Sequence, residues 1–132
     1  MQKKQGEFPF VEAMDKEFSQ EELNEVVEYL HTKETTTLCA KGAEYATKGD
    51  RLENFRVIAK LLGLTMEQVC CVFLLKHIFA LIGYASHGRM PTTESIGEKG
   101  IDARNYIMFL LAILKSQGIN IKEITDGKNK SN

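Results

Sequence analysis

The stretch Val69-Cys70-Cys71-Val72-Phe73-Leu74-Leu75-Lys76-His77-Ile78-Phe79-Ala80-Leu81-Ile82-Gly83-Tyr84-Ala85 decides the fold. It is apolar nearly all round, which suits either the centre of a helical bundle or a short bilayer span. Lys76 and His77 stand at its middle, where hydrocarbon would make an ammonium costly. The reading is therefore a buried central helix and no membrane. Thr65 with Gln68 forms a capping box that opens this helix, and His87-Gly88 breaks it.

Working outward, the pattern predicts five helical segments and no strand. Ser19 and Glu22 form a capping box, and Leu23, Val26, Val27 and Leu30 then recur on one helical face. A second helix is expected over 36–48, weakened by Gly42. Gly49 and Asp50 are the expected C-cap and N-cap around the next boundary. The third helix would bury Leu52, Phe55, Ile58 and Leu62 and end at Gly63. Pro91 with Thr92 or Thr93 is expected to start the fifth helix, which Gly118 closes. The fold class is all-α, a compact bundle of about five helices. Residues 1–18 read as an N-terminal extension, 19–118 as the helical domain and 119–132 as a tail.

The chain of 132 residues fits one domain with a modest core. Its net charge of −1 excludes a broad positive field, so no duplex nucleic acid is expected as partner. Cys39, Cys70 and Cys71 are odd in number and partly adjacent, which argues against a disulfide framework and for a cytoplasmic setting. Cys70 and Cys71 read as small core residues, and no zinc-type spacing occurs.

The segment from Glu94 to Tyr106 carries the candidate chemistry. At about 100° per residue, Glu94, Glu98, Asp102 and Asn105 share one side of a helix with Ile101, Met108 and Phe109. Acids on a core-facing side cost several kcal/mol unless compensated. Lys41, Lys76 or Arg56 would pair with them, or Mg²⁺ would sit between them, or a ligand would supply donors. Lys41, Glu44, Tyr45 and Lys48 form a second cluster, with Asp50, Asn54 and Arg56 a third. Lysines and helix N-termini favour phosphate oxygens. The Lys76-His77 pair adds a polar spot inside the apolar helix.

The run Glu94-Ser95-Ile96, then Glu98, Asp102 and Asn105-Tyr106, resembles the signature of the nucleotide-modification-associated helical domain family of phages and bacteria. Lys41, Glu44-Tyr45 and Lys76-His77 extend the likeness, which runs from Lys41 to Leu114. More distantly, the arrangement is similar to the MazG-like all-α nucleoside triphosphate pyrophosphohydrolases, where four acids hold Mg²⁺ beside phosphates. This chain departs from them with Lys41-x-x-Glu44 and with a spacing of four from Glu98 to Asp102. A lysine there would repel Mg²⁺ and bind phosphate itself.

Three functions stay open. The first is capture of a phosphate-bearing nucleotide without turnover and without a cofactor, including sequestration of a host nucleotide immune signal. Lys41, Lys48 and Arg56 would then meet phosphates, Glu98, Asp102 and Asn105 the ribose or base, and Tyr45 or Tyr106 would stack. The second is Mg²⁺-dependent hydrolysis with Glu44, Glu98 and Asp102 as ligands. The third is a structural or interaction role. A homo-oligomer, a dimer or higher, is expected under all three, because the fourth helix and the Ile107, Leu110, Leu111 and Leu114 face of the fifth exceed what one small domain covers.

Overall fold

The structure, a computed structural model, describes residues 16–45 and 49–123, the side chains of Thr35 and of 37–45 excepted. Among the described residues there are four helices and no strand: α1 Gln20–Tyr45, α2 Glu53–Leu62, α3 Met66–His87 and α4 Ile96–Ser116. The two expected N-terminal helices are one. Ser19 and Glu22 do form the reciprocal cap, with bonds of 2.8 and 3.1 Å. No proline follows, and Thr36 Oγ1 donates back to the Thr32 carbonyl at 2.9 Å instead of capping a new helix.

The start of α2 also differs from expectation. Asp50 accepts from the Leu52 N–H at 3.1 Å and from Arg56 Nη2 at 3.0 Å, so it makes a turn before the helix. Leu52 then occupies the boundary with no side-chain cap. Gly63 ends α2 at φ 66°, a conformation that suits glycine. Thr65 and Gln68 cap α3 reciprocally, as their spacing requires, and α3 ends at His87 with Gly88 left-handed. The last helix begins later than Pro91 or Thr93. Ser95 is its cap, accepting from Glu98 N–H at 3.1 Å while Glu98 Oε2 accepts from Ser95 N–H at 2.7 Å. Neither Thr92 nor Thr93 has an acid three residues on, so only Ser95 completes the box.

Packing is built on the α3–α4 pair, which runs antiparallel: Cys70 touches Tyr106, and His77 touches Asp102. α2 covers the N-terminal half of α3, while α1 lies on α4 in the same direction, with Tyr29 against Gly97 and Glu34 paired to Arg104 at 3.2 Å. The core sits between α2, the start of α3 and the end of α4. Phe55, Ala59, Val69, Cys70 and Ile113 are buried there. Phe55 meets Phe73 and Tyr106 edge-on, with centroids 6.4 and 6.5 Å away, and Phe109 tilted at 5.4 Å. Burial pushes the Cys70 thiol up to about 11, so it is a packed donor to the Tyr106 carbonyl rather than a reactive group.

Two expected buried faces are open. Leu62 leaves the α2 face to Ala59 and is exposed. α3 is not covered all round, since Val72, Leu75, Phe79 and Ile82 stay exposed. The reason is geometric: α2 and α4 cover α3 from one side, and α1 is spent on α4. α3 is long and apolar enough to cross a membrane by length and composition. The apolar N-terminal face of α1 is open as well, with Leu23, Val26 and Val27 exposed.

The aromatic cluster makes Phe55 the most demanding core position. Phe55→Ala is expected to lower the unfolding free energy by about 3–5 kcal/mol, read from urea denaturation.

Candidate ligand site

The polar half of the α3–α4 pair lies at the end away from the aromatic core. Asp102 and Asn105 are buried, at 9% and 6% exposure, as their shared face with Ile101 implies. Glu94 and Glu98 do not join them. Glu94 precedes the helix and pairs with Lys99 at 3.0 Å. Glu98 is exposed and its carboxylate is committed to the Ser95 cap. The expected four-residue stripe is thus two buried residues and two surface acids, because the helix starts one turn later than its periodicity suggested.

Of the cations expected beside Asp102, Lys76 is exposed and Arg56 binds Asp50 at the far end of the molecule's core, while the side chain of Lys41 lies outside the described residues. His77 stands beside Asp102, its Nδ1 3.8 Å from Asp102 Oδ2. That is beyond hydrogen-bonding distance. Burial pushes the His77 imidazole below its usual value. The Asp102 carboxylate pulls the other way, Lys99 and Lys76 reinforce the lowering, and Glu94 opposes it. His77 is therefore neutral at pH 7. Its ring stacks on Tyr106 at 5.3 Å, and Tyr106 stacks on Phe73 at 5.7 Å. Tyr106 is thereby engaged within the fold rather than presented to a ligand base.

Two buried polar atoms here lack a hydrogen bond: His77 Nδ1 and Asn105 Oδ1. Such atoms typically cost ~1–3 kcal/mol each when left unmade, so they mark hydrogen-bonding capacity the chain itself does not use. By helical angle, Asn105 lies between the α4 side that faces α3 through Asp102 and the side that faces α1 through Gly97 and Arg104.

An open cleft of about 480 Å³ adjoins this region, between the end of α3 and the start of α4. Phe79, Met90 and Pro91 form apolar wall, and Arg89, Thr92, Thr93 and Lys99 supply the polar groups. Gly83 matters at its floor. The Arg89 guanidinium lies 3.5 Å from where a side chain on Gly83 would begin. Lys99 links the cleft to the buried pair, being close enough to oppose protonation of His77.

The sequence pattern marks Thr92 and Thr93 only as helix-start residues, and it gives no signal for Arg89 or Lys99. Arg89 follows the Gly88 helix stop, and only the path of the 88–95 loop carries it back over Gly83. Asn54 is half-buried on the first turn of α2, away from the cleft lining. The side chains of Lys41, Glu44 and Tyr45 lie outside the described residues, as does Lys48. Among the described residues, no three His, Cys, Asp or Glu side chains converge as a metal group. No family model, curated protein or solved structure matches the chain.

The lowered His77 value has a signed consequence. The unfolded chain takes a proton on His77 near its ordinary 6.5, while the fold accepts it only at lower pH. Below that value the unfolded state binds more protons, so stability present above pH 6.5 is lost as pH falls. Urea midpoints are expected to drop between about pH 7.5 and about pH 5.5, and His77→Gln is expected to flatten that drop.

Proposed function

We propose that this chain captures a small phosphate-bearing ligand of the nucleotide class, without turnover, in the cleft between α3 and α4. The observation that carries the reading is the Arg89 guanidinium lying over Gly83, with Lys99, Thr92 and Thr93 on the same cleft. A guanidinium presents a planar fork of donors that matches phosphate oxygens, and threonine hydroxyls add neutral donors. The cleft volume of about 480 Å³ lies inside the roughly 300–1,000 Å³ range of small-molecule sites. Met90 and Pro91 offer an apolar wall for a base or sugar face.

In this reading Arg89 and Lys99 take over the phosphate role first assigned to Lys41, Lys48 and Arg56. Binding a phosphate draws Lys99 from Glu94. Asp102 and His77 lie behind the cleft, and Asn105 Oδ1 leaves one acceptor there without a hydrogen bond. The likeness to the phage and bacterial family makes sequestration of a host nucleotide, including an immune signal, the use this capture would serve.

Hydrolysis is the lesser reading. It needs Glu44, Glu98 and Asp102 to converge on Mg²⁺, and the Glu98 carboxylate is held by the Ser95 N–H at 2.7 Å. Releasing it would uncap α4, at about 1 kcal/mol. A purely structural role draws support from the stacked His77 and Tyr106 beside Asp102.

Calorimetry against a panel of nucleoside mono-, tri- and cyclic phosphates separates these readings. Capture is expected to show binding by at least one member, weakened roughly tenfold or more by Arg89→Gln at unchanged helix content. Phosphate release with Mg²⁺, lost in Asp102→Ala, would favour hydrolysis. No binding by any nucleotide, with Asp102→Ala affecting stability alone, would leave the structural role.

A further inference from the structure

The exposed residues of α3 are not scattered. Val72, Leu75, Phe79 and Ile82 follow one another at spacings of three, four and three, with Gln68 and Ser86 continuing the same line at either end. That is the a and d pattern of a coiled-coil seam, narrower than the face a helix presents to a globular core. The opposite side of α3 is already spent: Cys70 is buried against α4, and His77 stands beside Asp102. The seam thus runs along a helix that the rest of the fold holds rigid, so pairing would not have to bear the cost of forming the helix.

We infer that a second copy of this chain covers this seam, α3 packing on α3 about a two-fold axis. A partner with the same 3.5-residue period fits the knobs into holes, and an identical copy supplies it. The area is adequate. With Phe79 at 67%, Val72 at 57% and Leu75 and Ile82 at 50% exposure, the four residues offer roughly 400 Å² per copy, taking ~200 Å² for a large side chain. Two copies with the flanking Gln68, Cys71, Lys76 stem and Ser86 pass the roughly 1,000 Å² that separates specific interfaces from incidental ones.

One charge sets the orientation. Lys76 is the charged residue that α3 itself places beside the seam, at an e position. In an antiparallel pair the two Lys76 ammoniums face each other across the same flank. In a parallel pair they lie on opposite flanks, each with its stem over the partner's apolar edge and its charge in water. The pair is therefore parallel. A bilayer is the competing cover for an apolar helix, but the exposed apolar residues occupy one stripe rather than the full circumference, and Lys76 would lie at mid-membrane. The inference does not depend on the ligand reading.

Sedimentation equilibrium of the full chain tests it, with liposome flotation alongside. The expected result is a dimer whose dissociation constant rises roughly 100-fold in Leu75→Glu and in Val72→Glu. Both positions are at least half exposed, so helix content stays near that of the parent, while the melting temperature loses its dependence on protein concentration. Gln68→Cys and Ile82→Cys, each in a Cys71→Ser background, are expected to form self-disulfides under mild oxidation, because parallel pairing brings each residue to its own copy. An antiparallel pair would hold them roughly 15 Å or more apart along the axis. A monomer at about 100 μM, an oligomer indifferent to both glutamates, absence of both self-disulfides, or flotation with neutral phosphatidylcholine vesicles lost in Leu75→Glu would each overturn it.

Discussion

The antiparallel contact of α3 with α4 is the constraint on which the other features rest. Along one pair of helices it runs from a dry aromatic end to a polar end. At the dry end Cys70 gives its thiol hydrogen to the Tyr106 carbonyl, and Phe55 of α2 enters between Phe73, Tyr106 and Phe109. Tyr106 is the hinge between the two ends, since the same ring stacks on Phe73 and on His77. The position of His77 beside Asp102 is therefore set by core packing rather than by the weak attraction between a neutral imidazole and a carboxylate 3.8 Å away.

This arrangement explains why the polar end retains unmet capacity. His77, stacked on Tyr106, cannot turn to complete its bond, and Asn105 Oδ1 is left without one as well. Near these two buried atoms without bonds opens the cleft in which Arg89 lies over Gly83. The same pairing leaves the far side of α3 open, because α2 and α4 approach from one half of its circumference.

How much of this was legible depended on how local the deciding interaction is. The capping boxes at Ser19 and Thr65 join residues three apart, and both are present as reciprocal bonds. The burial of Asp102 and Asn105 followed from helical period alone. The start of α4 was misplaced because Pro91-Thr92-Thr93 carries initiation residues without the acid that completes a box. The split of α1 was misplaced because sparse apolar residues and Gly42 weaken a helix without ending it. Glu94 and Glu98 left the stripe as a direct result of that late start.

What the sequence by itself determined is the all-α class, the capping boxes at Ser19 and Thr65, the glycine stops at Gly63 and Gly88, and the burial of Asp102 and Asn105. These are matters of neighbours within a turn or two, where bond geometry and periodicity leave little choice. Only the tertiary structure decided that the apolar run of α3 is covered on one side and not the other, and that Asp102 faces His77 rather than Lys76. It also decided that Arg89 folds back over Gly83. Those outcomes turn on which helices approach α3 and from what direction, and packing between segments tens of residues apart sets that direction.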